Sequence, residues 1–125
     1  MEQGFRDLRV YQLAYALAME IFEVSKQFPK VETYALTDQV RRSSRSVCSN
    51  IAEGYRKRIY PKHFTSKLTD ADSECSETSV WISFAKDCGY IDNTQHDALQ
   101  EEYTKVGAML GKMIRCPYKF TPKRQ

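Results

Sequence analysis

Apolar residues in this chain recur three or four positions apart, and no segment alternates apolar with polar residues around hairpin turns. Between Arg6 and Phe28 the stripe is Val10, Leu13, Leu17, Ile21, Val24 and Phe28, broadened by Tyr11, Tyr15 and Phe22, and Pro29 forces a stop. A second stripe runs Leu36, Val40, Ser44, Val47 and Ile51, with Gly54 where the helix can end, bend or admit a neighbour. The third follows Pro61, a residue suited to a first helical position, and reads Phe64, Leu68, Ala71, Cys75, Thr78, Ile82 and Ala85. Its steps alternate four and three, the heptad spacing of a nearly parallel helix seam. Gly89 is a left-handed cap, Asp92 with Gln95 spells a capping box, and Leu99, Tyr103, Val106, Leu110 and Met113 form the fourth stripe, ended by Cys116-Pro117.

The pattern predicts four helices, over residues 6–28, 34–55, 61–88 and 93–115, within one domain at 1–116, followed by a basic tail without a helix at 117–125. Short loops between amphipathic helices make an all-α, antiparallel up-down four-helix bundle the economical solution. At 125 residues and 14.5 kDa one core suffices. No stretch approaches the roughly 20 apolar residues of a membrane span. The opening MEQGFRDLRV has acids where a secretory signal has an apolar run, so the chain is expected in the cytoplasm, away from membranes.

Charge changes the picture more than composition does. Residues 41–67 hold eight Lys or Arg against Glu53 alone, whereas residues 69–102 hold nine acids against Lys86 alone, so the formal net of +3 conceals a strong asymmetry. At about 100° per residue, Arg41, Arg42, Arg45, Ser49 and Arg56 cluster on the side of helix two opposite Val40, Val47 and Ile51. Asp70, Glu74 and Glu77 line one flank of helix three, and Trp81 continues the row. Two readings of the basic face are open: the arginines neutralise phosphates, or they pair with those acids across helices or subunits. Arg45, Arg56, Lys57, Arg58 and Lys62 are the candidates for nucleic acid, because the last four crowd a helix junction where few acids reach them. Arg41 and Arg42 are expected to face Glu74 or Glu77, and with Asn50, Glu53, Gly54 and Trp81 to serve structure or assembly.

Catalytic and metal chemistry finds little support. Cys48, Cys75, Cys88 and Cys116 form no C-x-x-C pair and read as buried reduced thiols. Neither His63 nor His96 has a Glu three residues before it, as carboxylate-bridged metal bundles require. Asp70, Asp72 and Glu74, at steps of two, diverge around a helix. No Gly-rich phosphate loop or nucleophile elbow is present, so neither enzyme activity, cofactor nor metal is expected.

The run Leu36-Thr37-x-Gln39-x-Arg41-Arg42, then Ser46, Asn50-Ile51-Ala52-Glu53-Gly54 and Arg58, resembles the signature of the bacterial four-helix bundle proteins, also called 23S ribosomal RNA intervening-sequence or S23 ribosomal-protein-like proteins. Phe5-Arg6-Asp7-Leu8, Phe28-Pro29-Lys30, Glu77 and Ala85-Lys86-Asp87-x-Gly89-Tyr90 match further landmarks. Ser43 stands where the family has alanine, Cys48 where it often has proline, and Asp72-Ser73-Glu74 where a small Gly-Ser pair is usual. The resemblance implies a bundle that assembles into a ring-shaped homo-oligomer, a pentamer. It also implies a non-enzymatic role whose nearest analogy is nucleic-acid binding, RNA or DNA. The alternative is a protein-interaction scaffold without nucleic acid, built on Trp81, Phe84 and nearby tyrosines.

Overall fold

A computed structural model describes residues 4–121, and the elements along them are a 3-10 turn at Phe5–Asp7, α1 at Arg9–Ser25, a 3-10 turn at Lys30–Glu32, α2 at Leu36–Arg56, α3 at Pro61–Asp87, α4 at Asn93–Arg115 and a last 3-10 turn at Pro117–Lys119. No strand occurs among the described residues.

Local chemistry sets most boundaries where the pattern puts them. Pro61 is the first residue of α3. Gly89 closes that helix at φ +81°, a conformation in which a Cβ is strained. Asp92 Oδ1 accepts from the Gln95 amide at 2.8 Å while Gln95 Oε1 accepts from the Asp92 amide at 3.1 Å, completing the capping box. Helix one is shorter than its stripe. Leu8 is extended and breaks the expected helix into a 3-10 turn and α1, and α1 ends at Ser25, ahead of Pro29.

Every stripe residue of α2, α3 and α4 is buried. Along α1 the core face is instead Val10, Ala14, Leu17, Ala18 and Ile21, while Leu13, Val24 and Phe28 pack at its margin. The tail also departs from expectation: Phe120 folds back onto Phe64, ring centroids 5.9 Å apart, and packs against the core. The remainder of the predicted tail, residues 122–125, lies outside the described residues.

Consecutive helices pack on one another, most extensively α2 on α3, and α1 also touches α4. Ser43 on α2 meets Thr78 on α3, whereas Gly54 on α2 meets Lys67. That α2–α3 seam positions the charged residues. In its core the fully buried Thr78 and Ser43 hydroxyls meet at 2.8 Å, with the Thr78 hydroxyl also 2.8 Å from the Glu74 carbonyl. Asp72 lies toward α4 instead, where a Cβ on Gly107 would stand in ordinary contact with its Oδ1, at 3.6 Å.

Candidate nucleic-acid interface

The six basic residues of α2 and its end take four different environments. Adjacent positions on a helix diverge by about 100°, and Arg41 and Arg42 therefore serve different neighbours. Arg42 reaches α3, where it bonds Glu74 at 3.2 Å and also Glu77, and Glu77 Oε2 accepts from the Trp81 indole N–H at 3.2 Å. Arg41 turns to α1 instead. Its Nε donates to Ser25 Oγ at 2.7 Å and its guanidinium lies 4.7 Å from the Phe22 ring centroid. The expectation that both arginines face Glu74 or Glu77 thus holds for Arg42 and is corrected for Arg41. Asp70, from the same acidic flank, is exposed and outside this network.

Arg45 lies one turn further along, exposed, its guanidinium 5.8 Å from Phe22. No carboxylate pairs with Arg41 or Arg45 among the described residues. Arg41, Arg42 and Arg45 line a surface groove of about 650 Å³ together with Tyr34, Asp38 and Ser49. Phe22 and Tyr34 were not predicted as site residues. Phe22 read only as part of a broad stripe, and the position of Tyr34 depends on the loop that precedes α2.

Further along, Arg56 and Lys57 are exposed where α2 ends, and Lys62 is exposed in the first turn of α3. Arg58 is half-buried, its guanidinium 4.1 Å from the Tyr55 ring and bonded to the Tyr55 carbonyl at 3.1 Å. Tyr60, between the two helices, leaves 59% of its surface exposed and meets the His63 ring. Arg45 and Arg56, eleven residues apart, share a side of the helix to within about 20° but lie about 16 Å apart along it. The predicted set is therefore two basic patches, Arg45 midway along α2 and Arg56, Lys57, Arg58 and Lys62 at the α2–α3 junction.

Asn50, Glu53 and Gly54 converge on a single residue of α3. Asn50 Oδ1 accepts from Lys67 Nζ at 3.5 Å, Glu53 Oε1 pairs with it at 3.3 Å, and a Cβ on Gly54 would stand only 3.0 Å from Lys67 Cβ. The glycine lets α3 approach and the two polar residues hold the lysine that arrives. Lys67 was counted among the basic residues, yet the structure commits it to the seam.

Two apolar surfaces flank these patches. Phe5, Tyr11, Tyr15 and Met19 border a groove of about 360 Å³ between α1 and α2, with Arg45 and Ser49 on its edge. Trp81 stacks near Phe84, centroids 5.9 Å apart, beside Val80, and Phe84 and Val80 are about half exposed.

All four thiols are free, but only Cys48 and Cys75 are buried, while Cys88 is exposed beyond the end of α3 and Cys116 is half-buried. Burial pushes the Cys48 thiol up to about 11 and the Cys75 thiol to about 12. Burial likewise raises the Tyr103 phenol, whose hydroxyl has no hydrogen-bond partner among the described residues. No three His, Cys, Asp or Glu side chains converge as a metal site among the described residues, and no described helix is long and apolar enough to cross a membrane.

Comparison with known proteins gives one family and one fold. The sequence profile described as "23S rRNA-intervening sequence protein" matches residues 6–112. A crystal structure from Bacteroides thetaiotaomicron VPI-5482, described as a protein with unknown function from the S23 ribosomal protein family, superposes with a TM-score of 0.77 at 23% identity, over 85% of this chain and 95% of that one. No curated protein matches by sequence.

Proposed function

Because this chain belongs to the 23S rRNA-intervening sequence protein family, we propose that it is a non-enzymatic, antiparallel four-helix bundle that binds RNA or DNA through the basic surface of α2 and the α2–α3 junction. The observation that carries this reading is the exposure of Arg45, Arg56, Lys57 and Lys62, none of them ion-paired among the described residues, while Arg42 and Lys67 are held by acids. Charges left in water without partners are available to phosphates, and phosphate contacts release counterions whatever the base sequence. The bundle works as a ring-shaped homo-oligomer, and the groove beside Tyr11, Tyr15 and Met19 and the Trp81–Phe84 pair are the contacts that support assembly. A ring of five follows from the family resemblance. Repetition around a ring turns one weak patch into many.

A second reading, a protein scaffold without nucleic acid, draws on the half-buried Trp81 and the exposed Phe84 and Val80 beside it. One experiment separates them. The triple variant Arg56→Ala, Lys57→Ala, Lys62→Ala and the parent are titrated with a labelled generic RNA at low and raised salt, and their masses measured by light scattering. Under the nucleic-acid reading the parent binds, the triple variant binds less tightly with a shallower salt slope, and both have a mass several times 14.5 kDa. A parent that binds nothing at low salt refutes that reading in favour of the scaffold, and a mass of one chain refutes assembly.

A further inference from the structure

Tyr34 is the most exposed large hydrophobic side chain of the described residues, at 93%, yet the loop that carries it is hydrogen-bonded on both sides. The Ala35 amide donates to the Glu32 carbonyl at 2.9 Å, and Glu32 then uses both carboxylate oxygens: Oε1 accepts from the Leu36 amide at 3.2 Å, and Oε2 from the Tyr90 hydroxyl at 2.8 Å. Tyr90 is itself packed against Phe28, centroids 5.5 Å apart. A tyrosine held out into water by a braced loop is a surface prepared for a flat partner, because little ordering remains to be lost when that partner arrives.

What stands beside it defines the partner. Tyr34 borders the groove of about 650 Å³ that also holds Arg41 and Arg45, two guanidiniums bound to neutral groups only, with Asp38 as the acid of that lining and Arg42 neutralised by Glu74 and Glu77. An aromatic face next to uncompensated arginines matches a base and its phosphate. In a duplex the bases are stacked on one another, so an aromatic platform gains nothing from them; in a single strand each base has a free face. The volume is that of a small-ligand cleft, suited to a short piece of one strand.

Resting on the nucleic-acid reading above, we propose that the groove between Tyr34 and Arg45 is a single-strand site, in which one base stacks on Tyr34 and the adjoining phosphates lie against Arg41 and Arg45. Ser49, whose hydroxyl donates to the Ser46 carbonyl at 3.2 Å, completes the lining, and the site prefers unpaired over paired nucleic acid without reading sequence.

The test uses the full chain with a labelled oligouridylate and a labelled RNA hairpin of equal charge, closed by a non-nucleotide linker so that every base is paired, titrated by fluorescence anisotropy at two salt concentrations. The parent binds the single strand more tightly than the hairpin. Tyr34→Ala weakens the single strand about five- to a hundredfold, the range of a lost base–aromatic stack, while hairpin affinity, salt slope and oligomer mass stay as in the parent. Tyr34→Phe keeps the affinity, since the ring and not the hydroxyl does the stacking. Equal binding of both nucleic acids by the parent, or a Tyr34→Ala variant that binds like the parent or changes mass, overturns the single-strand site while leaving the basic-surface reading standing. A parent that binds neither probe overturns both.

Discussion

Gly54→Ala is the sharpest probe of the α2–α3 seam, because helix propensity and packing pull in opposite directions there. Replacing glycine by alanine within a helix gains about 1 kcal/mol where nothing is in the way. At position 54 the new Cβ meets Lys67 Cβ at 3.0 Å, the Phe64 carbonyl at 3.5 Å and Leu68 Cδ2 at 3.7 Å. A Cβ is fixed to its own backbone and cannot rotate aside, so α2 and α3 must part along the most extensive interface of the bundle. Overpacking of that kind costs about 1–3 kcal/mol, which leaves a net loss of about 1 kcal/mol after the propensity gain. In a Lys67→Gly background the obstructing atom is gone, and the same Gly54→Ala change is then stabilising by about 1 kcal/mol. The coupling between the two positions is therefore about 2 kcal/mol. Urea unfolding followed by the helical circular dichroism signal, at one fixed protein concentration, reads this as a midpoint shift of about half a molar per kcal/mol. If Gly54→Ala stabilises the parent, or has the same sign in both backgrounds, the close approach of Lys67 is not what requires the glycine.

Two further outcomes are expected. Arg42→Ala and Arg41→Ala each destabilise by about 1 kcal/mol, but raised salt shrinks the penalty at Arg42, whose partners are half-exposed carboxylates, and not at Arg41, whose partners Ser25 and Phe22 are neutral; equal salt responses would contradict the two-sided geometry. Maleimide labels Cys88 first and Cys116 next, whereas Cys48 and Cys75 react only on unfolding. Because their folded thiols titrate at about 11 and about 12 against 9.0 for a free thiol, stability is full below about pH 9 and falls as pH rises through those values, which an alkaline series of urea midpoints would detect.

The helices were legible because burial on one face imposes a period, and α3 shows how far that reaches: all seven residues from Phe64 to Ala85 in its four-three pattern are buried. Helix one was less legible because Ala14 and Ala18 carry too little apolar weight to mark the stripe that they in fact centre. Among charged residues, the pairing of Arg42 with Glu74 and Glu77 was legible from the family pattern that sets the arginine pair together with Glu77. The partners of Arg41 could not, because a serine hydroxyl and a phenylalanine ring give no charge signal along the chain. The convergence of Asn50, Glu53 and Gly54 on Lys67 was likewise hidden, since it depends on the register between two helices.

That register explains how α2 tolerates its charge. The arginine pair splits across two neighbours, so neither guanidinium repels the other at close range, and only one of the two is neutralised. Arg42 is cancelled by acids of α3; Arg41 is held by an aromatic face and a hydroxyl, which bind a cation without removing its charge. The groove beside Tyr34 thus keeps the positive charge of Arg41 and Arg45, and the helix end keeps that of Arg56, Lys57 and Lys62. Asp70, Asp72, Asp87, Asp92, Asp97 and Glu101 are all exposed on α3, α4 and the turn between them. A polyanion approaching this bundle is drawn to the unpaired cations of α2 and repelled by the exposed acids of α3 and α4, a field that orients the encounter before any contact forms and that weakens as salt shortens its reach.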